Sequence, residues 1–202
     1  MVAAAAYRAA ARLTDDRLGV TMDHTHKTDR FPSTVMLPAS APDRFADRQL
    51  LWNEVEANEP RENSQLARDV EFSLPHELSN EANIELARAL VKEVFVDRGM
   101  IADLNLHLGK ETNGHFTPHA HVLLTMREVG PSGFGRKNRD WNNPALLNEW
   151  RELVAVRTNE ALARAGLDER IDHRSLRDRG IELTPQLRVG QRHLAVQRAA
   201  VS

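Results

Sequence analysis

The sequence contains no cysteine, so it holds no disulfide framework, no thiolate metal centre and no cysteine nucleophile. Aromatic residues make up only 5% of it, and Tyr7 is the single tyrosine. No apolar run approaches the roughly 18 residues that a membrane-spanning helix needs. There is no excess of one charge either, and a net of −2 excludes a strongly basic nucleic-acid coat protein. The alanine-rich start is interrupted by Arg8 and Arg12 and followed by Asp15 and Asp16. That makes a poor signal peptide and leaves a soluble cytoplasmic protein as the expectation. What is present is 202 residues with 41% hydrophobic content, which suits one packed domain.

The charge is unevenly placed. Residues 1–126 carry 13 Lys and Arg against 19 Asp and Glu, and residues 127–202 carry 14 against 10. The basic excess is densest at Arg127, Arg136, Lys137 and Arg139, around the run Gly130-Pro131-Ser132-Gly133-Phe134-Gly135. Glycines and an aromatic among cations suit a mobile loop that follows a phosphate backbone. A plain solvated surface loop is the other reading of the same residues.

The local patterns predict a mixed fold. Residues 3–13 are strong helix formers, 14–41 read as loop or short irregular strands, and Pro42 opens a helix over 42–58. Residues 67–74 alternate and stop at Pro75, as a strand does. Ser79 caps a helix that runs to Arg98 and ends at Gly99. Strands follow near 100–107 and 119–127, then a helix over 144–165 that stops at Gly166.

Strand parity sorts side chains by face. Ala102, Leu104 and Leu106 share one face, with Asp103, Asn105 and His107 opposite. Ala120, Val122 and Leu124 oppose His119 and His121, and Val70 and Phe72 oppose Asp69 and Glu71. In one sheet the polar faces would gather His107, His119, His121 and Glu71. His119 and His121 lie about 7 Å apart along a strand, close enough for one metal ion. His107 would complete a tripod with open coordination positions, and His115 in the loop at 108–118 competes for that place. Glu71 would either orient a ligand imidazole or bind the metal. His24 and His26 share the His-x-His spacing without apolar alternation, and they read as loop residues. Tyr7 is either a ring packed on the core or a nucleophile for phosphorus beside a metal, with Arg8 and Arg12 as phosphate contacts.

Together these stretches resemble the relaxase domain of the MobA/MobL family of plasmid mobilisation proteins, from about residue 2 to residue 183. The likeness rests on Ala3-Ala4-Ala5-Ala6-Tyr7-Arg8, Ala67–Pro75, Phe95–Asp103, Pro118–Thr125, Gly133–Lys137, Asp140-Trp141-Asn142 and Ile171–Leu176. It implies a single-domain α+β fold, an antiparallel sheet with helices packed on one face. It also implies a transesterase that nicks one DNA strand at an origin of transfer. Tyr7 would take the 5′ end covalently, Glu71 would assist, and His107, His119 and His121 would hold Mg²⁺ or Mn²⁺. The DNA-contacting set is expected to comprise Arg8, Arg12, Arg127, Arg136, Lys137, Arg139, His173 and Arg174. Single-stranded DNA and accessory relaxosome proteins are the implied partners.

Two departures from the family pattern shape the expectations. Members usually carry a strand and polar link ahead of the alanine segment. Starting inside that link should leave an unpaired edge or a gap beside the site, and makes a catalytically impaired DNA-binding remnant the alternative. Residues 185–190 replace a stretch that usually includes a histidine. The domain is expected over 1–183, with 184–202 a poorly ordered tail.

Overall fold

The computed structural model describes residues 1–27, 30–59, 61, 63–109 and 117–183, which form two compact units, Met1–Asp172 and His173–Ser202. The first unit is built on four antiparallel strands: β3 (Arg30–Met36), β4 (Ala67–Ser73), β5 (Ala102–His107) and β6 (His119–Thr125), in the order β3-β5-β6-β4. Ahead of them come α1 (Val2–Ala9) and a small hairpin of β1 (Arg12–Asp15) and β2 (Val20–Asp23). Helices α2 (Arg48–Ala57) and α3 (Asn80–Val94) sit between strands. A second hairpin, β7 (Arg127–Gly130) with β8 (Gly133–Lys137), leads to α4 (Ala145–Arg164).

The apolar sheet face behaves as parity predicts. Ala102, Leu104, Leu106, Ala120, Val122 and Leu124 are buried together with Leu86, Leu90, Val91 and Val94 of α3 and Trp150 and Leu162 of α4. Ser79 caps α3 by accepting from the Ala82 N–H at 3.2 Å, which satisfies one of the orphan donors of its first turn. The helix yields at Phe95 to a 3₁₀ turn, and Gly99 at φ 91° closes it.

The expectation of helices on one face needs an addition. The opposite face is also covered over half its length, because α1 and α2 pack there. Val2, Ala5, Ala6, Leu51, Trp52 and Val55 bury Ile101 and Leu123 in a second core. Asp103 shows why this layer stays put. Its carboxylate is 0% exposed, yet it accepts from Arg48 Nε at 3.0 and 2.9 Å, Trp52 Nε1 at 2.9 Å and Asn105 Nδ2 at 3.1 Å. A buried charge so fully bonded is tolerable, whereas removing it would strand the Arg48 charge and the indole N–H.

Three local expectations are corrected and one is narrowed. The first helix stops at Ala9 rather than 13, because Ala10 turns left-handed at φ 48° and the Ala11 N–H closes onto the Ala6 carbonyl at 3.0 Å. Such a conformation costs an alanine about 1 kcal/mol, and the following strand pairing offsets it. Of the two readings of 14–41, loop or short irregular strands, the second holds for β3, whose irregular register against β5 falls around Pro32. Proline cannot donate to a ladder, and an edge strand is where a sheet accepts it. The helix expected over 42–58 is divided by Asp47, whose side chain caps α2 through the Leu50 N–H at 2.9 Å. The glycine run at 130–135 is the turn and second strand of a hairpin rather than a mobile loop.

Strands β5 and β6 pair continuously from Ala102↔Leu124 to His107↔His119, while the β3–β5 ladder shifts register beside His107. The edges of this sheet are β3 and β4. In the second unit, the Arg179 N–H reaches the Ser175 carbonyl at 3.1 Å and Ser175 Oγ caps the turn through the Asp178 N–H at 3.2 Å. The expected tail at 184–202 lies outside the described residues, as do 185–190 and His115.

Candidate metal and nucleophile site

Register alone brings the three histidines together. His107 ends β5 directly opposite His119, which begins β6, and His121 stands opposite Asn105 on one side and Glu71 on the other. The ring centroids lie 5.5, 5.0 and 5.0 Å apart with planes crossed at 75°, 62° and 81°. One ring nitrogen from each falls within 4.8 Å of the others, the sole such metal-ligand group among the described residues. The rings meet edge to face, and one nitrogen from each is near enough to the others for a tripodal metal site to form with modest closing.

The remaining ring nitrogens support that reading. His107 Nε2 bonds the Arg8 carbonyl at 2.8 Å and His119 Nδ1 bonds the Thr117 carbonyl at 2.9 Å. A carbonyl only accepts, so each of those nitrogens is the donor in its bond. This is the arrangement by which backbone oxygens orient metal-ligating imidazoles. His121 is buried, and that burial, helped by the Arg8 charge and opposed by Glu71, lowers its pKa to about 4. A neutral ring with an available lone pair is therefore the form present near pH 7. Glu71 Oε2 lies 3.5 Å from His121 Nδ1, close enough to orient the ring and too far for a strong bond.

Tyr7 stands apart from both cores. On α1 the buried side chains are Val2, Ala5, Ala6 and Ala9, while Tyr7 is 50% exposed. The reading of a ring packed on the core is thereby corrected. Its ring meets the edge of His24 at 5.3 Å and carries Lys27 Nζ at 3.7 Å over its face. Arg8, next in sequence, fastens this end of α1 to the sheet twice. Its side chain pairs with Asp69 of β4, and its carbonyl takes the bond from His107 of β5. The residue that follows the phenol is thus tied directly to one of the three imidazoles.

The predicted DNA-contacting cations divide sharply. Arg127 is consumed within the protein, donating to Glu59 at 2.8 Å, the Gly135 carbonyl at 2.8 Å and the Asn58 carbonyl at 3.1 Å. Lys137 meets Glu59 at 3.0 Å and the Gln65 carbonyl at 2.8 Å. Arg136 is 85% exposed and paired with Glu128 at 3.1 Å, and Arg139 is exposed at the start of a 3₁₀ turn. Arg12 is exposed on β1 opposite Asp23. His173 and Arg174 are exposed and belong to the second unit.

Sequence reasoning missed two groups. Asp103 carried a signal, since it shares the parity face of Asn105 and His107, but nothing in the pattern indicated that an arginine and an indole would close on it. His24 and His26 read as loop residues because no alternation supports them, and Lys27 carried no signal at all. They follow β2 in a turn, where alternation is not expected.

With this geometry in view, the likenesses fit. A model of the MobA/MobL family matches residues 1–199. Conjugal transfer protein TraA of Rhizobium radiobacter is 34% identical over 99% of this chain and 20% of its own length, so the chain spans about a fifth of that relative. Mobilization protein MobL of Acidithiobacillus ferridurans is 32% identical over 96% of the chain and 59% of its own length. A structure solved to explain vancomycin resistance transfer in Staphylococcus aureus superposes with a TM-score of 0.79 at 35% identity, covering 86% of this chain and 90% of that one. The chain belongs to the MobA/MobL family.

Proposed function

We propose that this domain nicks one strand of DNA at an origin of transfer by transesterification onto Tyr7. The carrying observation is the union of the two halves of the site, in which His107 of the imidazole cluster hydrogen-bonds the carbonyl of the residue following the phenol. The Tyr7 oxygen attacks the scissile phosphorus, the bond to the 3′ oxygen breaks, and the phenol proton is balanced by the one that the leaving 3′-hydroxyl gains. The product is a 5′-phosphotyrosyl link whose energy is retained, so the free 3′-hydroxyl can reverse the reaction.

His107, His119 and His121 would hold a divalent cation, and we take it as Mg²⁺ or Mn²⁺ from the family likeness, since imidazoles alone suit softer ions such as Zn²⁺; when bound it would supply Lewis-acid stabilisation of charge on the phosphate. The chain's own groups do the remaining work. Backbone oxygens orient two imidazoles, burial keeps the third neutral, and Glu71 faces it across the strand pair. Arg8 is held by Asp69 within reach of the same edge of the sheet. We extend the proposal to the setting that such chemistry needs: single-stranded DNA as substrate, accessory relaxosome proteins as company, and the cytoplasm as location. No helix among the described residues is long and apolar enough to cross a membrane.

The experiment is a 3′-labelled single-stranded oligonucleotide series tiled across the transfer origin, incubated with the protein and Mn²⁺ and run under denaturing conditions, so that the label stays on the fragment joined to Tyr7. Wild type should form a covalent adduct and Tyr7→Phe should reduce it below detection. An adduct that persists in Tyr7→Phe removes the phenol from the role. Cleavage without an adduct indicates water as the nucleophile, and salt-dependent binding without cleavage indicates a binding remnant.

A further inference from the structure

We propose that Lys27 is the positioning residue for the Tyr7 phenol, holding ring and peptide with one ammonium group; this rests on the reading of Tyr7 as nucleophile. An exposed tyrosine on a helix of alanines has no bulky neighbour on that helix to select its rotamer. A nucleophile left to wander would forfeit much of the advantage of a bound, aligned substrate. Lys27 removes the freedom at two points. Its Nζ donates to the Tyr7 carbonyl at 3.2 Å, and the same charge stands 3.7 Å from the ring centroid, where the electron-rich face attracts it. The edge of His24 closes a second side at 5.3 Å.

The support beneath Lys27 is itself built. Asp23 accepts from the Thr25 N–H at 3.0 Å and from Thr25 Oγ1 at 2.7 Å, which locks the turn that leaves β2. The His24 N–H reaches the Ala11 carbonyl at 3.1 Å, just past the end of α1, and the Lys27 N–H reaches the His24 carbonyl at 3.1 Å. Turn and helix end are therefore one piece, and Lys27 travels with the phenol it holds. Once the phosphate is attached to Tyr7, the ammonium lies beside a new anion and steadies it as well.

A single tyrosine makes the test direct, because ring-labelled tyrosine in the full chain gives one set of NMR signals. In Lys27→Met, which keeps the alkyl length and loses the charge, the ring signals should shift. The first-order rate of adduct formation at saturating DNA should fall between about 3- and 30-fold, while affinity for an oligonucleotide that ends at the nick position stays within about twofold. Lys27→Arg should restore most of the rate. Ring signals that do not move in Lys27→Met overturn the inference whatever Tyr7 does. Shifted signals with an unchanged rate overturn it while the nucleophile reading stands, as does a loss found wholly in affinity. Absence of any wild-type adduct fails the nucleophile reading and takes the role of Lys27 with it, and the ring signals then distinguish a real contact from none.

Discussion

Two cationic regions look alike in the sequence and differ in the fold. At the β7–β8 hairpin, Arg127 and Lys137 converge on the buried carboxylate of Glu59, and Arg136 pairs with Glu128. Beside Tyr7, Lys27 spends its charge on a tyrosine ring and a carbonyl, with no ion pair to a carboxylate among the described residues. Density of basic residues is thus a poor guide to where an anion would be welcomed. The hairpin uses its cations to fasten itself to the end of α2, while the cation at Tyr7 is held by a ring face and a carbonyl.

The largest effect that sharpens this contrast is on the metal side. His121→Ala removes one arm of the tripod, and Mn²⁺ affinity measured by calorimetry or electron paramagnetic resonance should fall by at least about 100-fold. Glu59→Gln should leave that affinity unchanged. Next comes the clasp itself, since Glu59→Gln strands two cations against a neutral amide and should cost about 2 kcal/mol in denaturant unfolding. A loss below about 0.5 kcal/mol would mean that the hairpin does not depend on its carboxylate and would dissolve the comparison.

Acid should separate the two regions by window. His121 has a folded pKa depressed to about 4 from 6.5, so the unfolded chain binds its proton first. Stability of the metal-free protein should therefore fall as pH drops from about 6.5 toward 4, by up to about 3 kcal/mol. Glu59 resists its own burial because Lys137 and Arg127 donate to it, and its pKa lies below the ordinary 4.5. Its contribution is present above that value and is lost only as pH falls further. In Glu59→Gln the first loss should remain and the second should vanish, as thermal midpoints measured across the range would show. Smallest of all is Arg136→Ala. That exposed pair should leave the denaturation midpoint where it is, and a resolvable loss would mark the hairpin tip as structural.

Much of the sheet and its histidines was legible because strand parity is a strict period-two rule, and His107, His119 and His121 obey it on strands whose other face is apolar. Register then follows without further information, since a one-residue slip would bury those imidazoles in the α3–α4 core. Other features depend on partners far along the chain. Nothing near Asp103 in sequence indicates Arg48 and Trp52, more than fifty residues earlier. Strand β3 was obscured by Pro32, which weakens a strand pattern read locally but is harmless on an edge. The lysine on Tyr7 comes from a turn, where no periodicity reports which way a side chain points. The stop of α1 at Ala10 was unreadable for a different reason: the residue that takes the left-handed conformation is not the glycine or asparagine that normally marks it.

The alanines of α1 deserve a mechanical reading. Ala5, Ala6 and Ala9 are almost wholly enclosed against the second core, so the helix lies as close to the sheet as a single methyl allows. They act as shims that set the height of the platform on which the phenol rides. Thickening any one of them by a few carbon atoms would lift the platform and stretch the tether from the His107 imidazole to the Arg8 carbonyl, shifting Tyr7 against the histidines without touching either.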